Sequence, residues 1–239
     1  MITLLSPSKK LNFKYQDAVS AFTQCDFIES AQELVNQAKN LTSKDLKDLM
    51  KISDSLADLN KERFNNWSLP FNQENSKQAI LAFDGGVYSG LEAHTFNQKD
   101  LDFAQDHLRI LSGLYGVLKP LDLIQPYRLE MGSNLKNDKG HNLYQYWSDI
   151  VSNNLNLDLE KSKYNKIINL ASVEYSKVIN TKIISADIIN PQFLEEKNNT
   201  LKNVSFFSKK ARGSMARFIL KNKILNHSEI KDFNYVYVG

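Results

Sequence analysis

The chain has 239 residues, 42% of them hydrophobic and 24% charged, with nine glycines and five prolines. That composition excludes a disordered or linker-rich chain and suffices for one large globular domain. The net charge of +3 is too mild to name a polyanionic partner, so the clustering of charge matters more than its total.

The start, "MITLLSPSKK", has no basic leader region and no long apolar run, so it is not read as a signal peptide. No apolar stretch approaches a membrane span, and no membrane partner is expected. Cys25 is the single cysteine, which rules out an intrachain disulfide framework and fits a reducing, cytoplasmic setting. No local signal lowers its pKa, so it reads as a packing residue.

In chain order, "MITLL" predicts a short buried strand that ends in the turn residues "SPSKK". Ser30 and Glu33 stand at capping-box spacing and predict a helix start, with Leu34, Val35 and Ala38 on its buried face. Leu46, Leu49 and Met50, then Leu56, Leu59 and Phe64, repeat the helical signal. "QAILAF" reads as a buried strand before the turn "DGG". Leu101, Ala104, Leu108 and Leu111 line a helix that stops at Gly113, and "YGVL" follows as a strand. Leu143, Trp147, Ile150, Val151 and Leu155 give a second strong helix face. "KIINLAS", "KIISADII" and "LKNVSFF" read as strands, with a turn at Asn198-Asn199. These elements predict a single mixed α/β (α+β) domain over 1–239, with a central mixed sheet flanked by helices.

Segment 206–223, "FFSKKARGSMARFILKNK", holds six basic residues and no acidic one. As a helix from about Lys209, it sets Lys210, Arg217 and Lys221 near one azimuth with Ser214 beside them. Ala211, Met215, Phe218 and Ile219 cover the other side. Such a row holds phosphates or forms a solvated face. "SPSKK" supplies Ser6, Ser8, Lys9 and Lys10 at the carboxyl end of a strand, where open sheets place ligands. It lacks P-loop spacing. In "FDGGVYSGLEAHTF", Asp84 and Glu92 are polar candidates, but the glycines do not form a dinucleotide fingerprint. Gly113 and Gly116, three apart, suggest a hairpin whose backbone N–H groups bind DNA phosphates, with Lys119 as the nearby cation. Against that stand the usual spacing of two and the interruption at Pro120. Arg128 and Glu130, two apart on an extended segment, form an ion pair or a substrate-facing acid and base. Ser172 and Glu174 edge a cleft or cap a helix. The histidines at 94, 107, 141 and 227 are scattered, so no metal site and no cofactor is expected.

Several stretches taken together resemble the YaaA family of bacterial peroxide-stress proteins. They are "LLSPSKKLNF", "KISDSLADLNKERF", "QAILAFDGGVYSGL", "DFAQDHLRILSGLYGVLKPLDLIQPYRLEMG", "LYQYWSDI", "INLASVEY", and "FLEEKN" followed by "SFFSKKARGSMARFI". They occur in family order and cover nearly the whole chain. The resemblance implies the family's own fold with a basic cleft. It implies binding of double-stranded DNA with a helix–hairpin–helix-like element, and protection against peroxide through low free intracellular iron. No enzymatic reaction comes with it. Ser8 and Lys10 stand where the family pattern reads Ala and Thr, and "FNYVYVG" ends short of the family's usual tail. Lys9, Lys10, Gly113, Gly116, Lys119, Lys209, Lys210, Arg212 and Arg217 are the expected nucleic-acid contacts. Ser6, Asp84, Arg128, Glu130, Ser172 and Glu174 are the expected polar groups of the cleft. The alternative is an enzyme acting on a small phosphorylated or nucleotide substrate in that cleft. Nothing in the sequence sets the oligomeric state.

Overall fold

β1 (Ile2–Leu5) is the middle strand of a five-stranded sheet, and all four of its residues are buried. A mostly apolar run with no alternation, interrupted only by buried Thr3, suits a strand covered on both faces. The computed structural model describes residues 1–14, 19–162, 164–197, 200–202 and 205–234. After β1 come β2 (Lys10–Leu11), α1 (Ile28–Lys39), α2 (Ser43–Met50), α3 (Asp54–Asn66), β3 (Lys77–Gln78), α4 (Ala79–Ala82) and β4 (Phe83–Asp84). Then come α5 (Gly86–Leu91), α6 (Gln98–His107), β5 (Leu108–Ser112), β6 (Gly116–Leu118), β7 (Leu123–Ile124) and α7 (Leu143–Glu160). The last are β8 (Lys166–Asn169), α8 (Val173–Ser176), β9 (Asp187–Ile189), β10 (Glu195–Lys197), β11 (Thr200–Lys202) and α9 (Ser205–Lys221).

The main sheet has the order β6-β5-β1-β8-β9. β5 and β8 flank β1 in parallel, β9 continues in parallel beyond β8, and β6 returns antiparallel to β5. This is the expected mixed α+β domain with a central mixed sheet. Among the described residues the buried apolar side chains other than Ala211 form one cluster running from Met1 to Ile224. No described helix is long and apolar enough to cross a membrane.

Several local expectations are corrected. The helix ends at His107, and "LRILS" forms β5 with all five residues buried. Leu108 and Leu111 therefore pack as strand residues. Leu108, Ile110 and Leu111 fit the apolar side of either element, and the buried polar Arg109 and Ser112 give no alternation to tell them apart. Gly113–Gly116 consequently joins two strands, and no helix–hairpin–helix forms there. Both glycines are buried. The N–H groups of Leu114 and Tyr115 donate to Ser112 Oγ at 3.3 and 3.1 Å. Gly116 has φ +70°, and a Cβ there would stand 2.6 Å from the Trp147 ring.

α1 starts at Ile28 with Phe27 at its N-cap and no side-chain cap, so Ser30 lies inside the helix. Glu33 accepts a short hydrogen bond from the Tyr146 hydroxyl instead of closing a capping box. On α3, Leu56 and Leu59 are exposed, while Ala57, Asn60 and Phe64 face inward. "QAILAF" is one helical turn between two short strands. In "KIISADII" only Asp187–Ile189 is strand. In "LKNVSFF" the strand ends at Lys202, and Phe206 and Phe207 belong to α9. The turn at Asn198-Asn199 lies outside the described residues.

Candidate functional site

The carboxyl ends of β1 and β8 lie side by side where the sheet's connections diverge toward opposite edges, the usual ligand position in such sheets. Ser6 leaves β1 there. Its Oγ accepts the Ser172 N–H at 2.8 Å and lies 3.3 Å from Ser172 Oγ. The buried Tyr88 hydroxyl donates to the Ser6 carbonyl at 3.1 Å. Leu170 N–H donates to Leu4 O at 3.0 Å, which extends the pairing just beyond β8. Ser172 occupies the N-cap position of α8, but its side chain caps nothing.

The loop after Ser6 turns back along β4. Ser8 Oγ donates to the Asp84 carbonyl, and Lys10 Nζ pairs with the Asp84 carboxylate at 2.6 Å. Gly85 has φ +143°, and a Cβ on it would stand 2.6 Å from Ser8 Oγ. This positive φ and this close approach both call for glycine.

Across the strand ends, Glu130 Oε1 receives Lys9 Nζ at 3.2 Å and Arg128 Nε at 3.0 Å. Period-two spacing thus puts Arg128 and Glu130 together as an ion pair. Glu130 is buried, and its Oε2 has no hydrogen-bond partner. Two residues on, Gly132 N–H donates to Glu174 Oε1 at 3.2 Å, and Tyr144 Oη donates to the Glu174 carbonyl at 2.7 Å. Tyr127 and Tyr175 stand close enough to feel the Glu130 charge. Burial is the main cause that raises their phenol pKa values, and Glu130 adds to it. Three separate contacts, Ser6 with Ser172, Lys9 and Arg128 with Glu130, and Gly132 with Glu174, are therefore joined here by short stretches of chain.

The half-buried Arg63 of α3 was missed from sequence. Its Nη1 donates to the buried Asn60 Oδ1 at 3.3 Å. Burial, and then the like charge of Arg128, lower its pKa. In "NKERFNN" it looks like an ordinary surface arginine, and no spacing signals that it faces the end of the sheet.

α9 packs against α5, with a notional Cβ on Gly86 standing 3.2 Å from Lys209 Cβ. The exposed Lys209 is thereby set beside the Gly85 turn and the 6–10 loop. Arg212, one turn on, is half-buried, and burial lowers its pKa. Lys210 is half-buried. The predicted cationic row breaks up farther along. Arg217 Nη1 donates to Leu91 O and Glu92 O, both at 3.2 Å, and to Thr95 Oγ1 at 2.7 Å. Lys221 pairs with Asp100 at 2.7 Å. These contacts fasten α9 to its neighbours. Lys119 pairs with Asp26 at 2.9 Å. The β5–β6 register carries it toward the amino end of β1, away from Lys9.

Among the described residues no group of three or more His, Cys, Asp or Glu gathers as metal ligands. Cys25 is buried, its thiol lies 3.0 Å from the Leu123 carbonyl as donor, and burial pushes its pKa well up. A thiolate is the reactive form. Cys25 is therefore expected to resist a thiol-specific reagent in the native protein and to react fully in denaturant; fast native labelling would contradict this packing.

A family model described as Peroxide stress protein YaaA matches residues 1–237.

Proposed function

This chain belongs to the YaaA family of peroxide stress proteins, and from that premise we propose that it holds the phosphates of double-stranded DNA. The binding face is the 6–10 loop, the Gly85 turn and the first half of α9. The observation behind this reading is that two cation sets far apart in sequence meet at one turn. Lys9 and Lys10 approach it from the strand end, Lys209 approaches from the helix, and Lys210 and Arg212 flank Lys209. The Lys9 and Lys10 side chains are 63% and 74% exposed despite their carboxylate partners. The Lys10–Asp84 pair is exposed on both sides and is worth about 0–1 kcal/mol, so a phosphate can take the place of that carboxylate at little loss, while Lys9 offers its exposed ammonium beside the buried Glu130. Lys119, Arg217 and the buried Gly113–Gly116 hairpin lie outside this face. Phosphate contacts fix position without reading sequence, so little sequence preference is expected. Limiting free intracellular iron, and with it peroxide damage to DNA, is the physiological outcome of this proposal, with no residue assigned to iron.

The test is fluorescence-anisotropy binding to a short random-sequence duplex across a salt series. The Lys9→Ala/Lys10→Ala/Lys209→Ala variant is expected to weaken binding and to lower the salt slope by about three units, near one per phosphate contact. An unchanged slope would remove this face from the interface. Absence of binding at low salt would remove duplex DNA as the ligand.

A further inference from the structure

Positive charge exceeds negative around Glu130. One carboxylate oxygen, Oε1, receives both Lys9 and Arg128. The other, Oε2, is buried without a donor in a residue that is 8% exposed. An unsatisfied buried acceptor is unfavourable unless something else supplies a hydrogen bond. Arg63 lies close enough to Arg128 to feel its like charge, and its one hydrogen bond among the described residues goes to neutral Asn60. Arg128 likewise uses only Nε there, which leaves its terminal nitrogens available. The Lys9 ammonium and the Arg128 guanidinium thus share one oxygen of Glu130, with Arg63 beyond Arg128 and the Glu174 carboxylate beside Gly132.

We propose that this strand end is a binding site for a small phosphate monoester that also carries a hydroxyl or amine donor, such as a nucleoside or sugar monophosphate. The phosphate lies on Lys9, Arg63 and Arg128, and the donor satisfies Glu130 Oε2. A monoester carries about −1.5 to −2 at neutral pH, which more than offsets the excess of Lys9, Arg63 and Arg128 over Glu130 and Glu174. A duplex backbone does not meet the same demand. Its phosphodiesters carry one charge each, and deoxyribose offers no 2′-hydroxyl. The site therefore goes beyond DNA binding, with Lys9 common to the two and Glu130 and Arg63 particular to the ester.

The experiment is calorimetric titration of the full chain at low salt with adenosine 5′-monophosphate, ribose 5-phosphate, inorganic phosphate and adenosine. At least one of the two esters is expected to bind saturably at one site. It should bind roughly tenfold or more tighter than inorganic phosphate, as one hydrogen bond to a charged group provides. Adenosine should give no saturable heat.

Glu130→Gln keeps the side-chain shape and removes the negative charge. It is expected to leave inorganic phosphate binding as tight or tighter, while the ester loses its advantage. Loss of structural support alone would weaken both. Arg63→Gln, on a half-buried helix face, is expected to weaken ester and phosphate together by about tenfold, and it decides the matter should the Glu130 variant fail to fold. No saturable binding by either ester, an unchanged ester-to-phosphate ratio in Glu130→Gln, or unchanged ester affinity in Arg63→Gln would each overturn the proposal. The duplex salt slope of folded Glu130→Gln should match the parent protein, so the two readings stand or fall separately.

Discussion

Gly213→Ala is expected to destabilise the protein by about 2–4 kcal/mol, as overpacking against rigid backbone does. Helix propensity alone predicts the opposite sign, because alanine in a helix interior gains about 1 kcal/mol over glycine. The geometry decides between them. A Cβ on Gly213 would stand 1.8 Å from the Val87 carbonyl oxygen, 2.8 Å from its carbon and 2.9 Å from Leu91 N. All three are backbone atoms of α5, so the clash cannot be relieved by a side-chain rotation. The two helices must separate, and Gly90, whose Cβ would meet Lys210 O at 2.2 Å, shows that the approach is close from both sides. Gly86→Ala, on α5, is the control at the same interface. Its Cβ would meet Lys209 Cβ at 3.2 Å, a contact that a shift of a few tenths of an ångström relieves, and a much smaller loss than that of Gly213→Ala is expected. Urea unfolding followed by the fluorescence of Trp67 and Trp147 measures both. A Gly213→Ala midpoint equal to the parent's would mean that α5 and α9 do not pack this closely. Because α9 carries Lys209 and Arg212 to the Gly85 turn, the same variant is expected to weaken duplex binding even where it remains folded.

That coupling of packing to site explains what the sequence reveals and what it hides. "MITLL" is readable because four apolar residues bounded by turn chemistry have one stable use, a covered strand. The pairing of Arg128 with Glu130 is readable because alternate residues of an extended segment share a side. "LRILS" is not readable, because burial on both faces removes the alternation that separates strand from helix, and the hairpin reading at Gly113–Gly116 fell with it. Arg217 and Lys221 look like free surface cations in one dimension. Their partners, Thr95 and the Leu91 and Glu92 carbonyls for Arg217 and Asp100 for Lys221, lie more than a hundred residues away. Arg63 is hidden for the converse reason. It sits on a charged helix where any arginine looks solvated, and only the tertiary fold turns it toward Arg128. Local chemistry thus located the strand-end turns, while the sorting of cations into structural and available ones required long-range contacts.

The same sorting predicts a large effect far from the candidate site. Arg109 of β5 and Asp158 of α7 form an ion pair at 2.6 Å, with side chains 5% and 6% exposed. Arg109 Nη1 also donates to Gln105 O and Leu108 O, each at 2.7 Å. This guanidinium is therefore structural. Asp158→Ala leaves it buried without a counter-charge, and a loss of about 3–5 kcal/mol in unfolding free energy is expected. The pair as a whole is worth much less than that, because removing both charges also removes the desolvation that each incurs. Arg109→Met/Asp158→Leu is accordingly expected to be closer to the parent protein in urea than Asp158→Ala alone, and neutral or more stable if the two side chains pack well. Equal losses in the single and double variants would show that packing at this position, and not an uncompensated charge, sets the cost. α7 also donates Trp147 Nε1 to the Gly113 carbonyl at 2.9 Å and Tyr144 Oη to the Glu174 carbonyl. Loosening α7 from β5 should thus reach the Glu130 end of the sheet, and the Asp158→Ala protein, in conditions where it is still folded, is expected to bind phosphate esters more weakly than the double variant does.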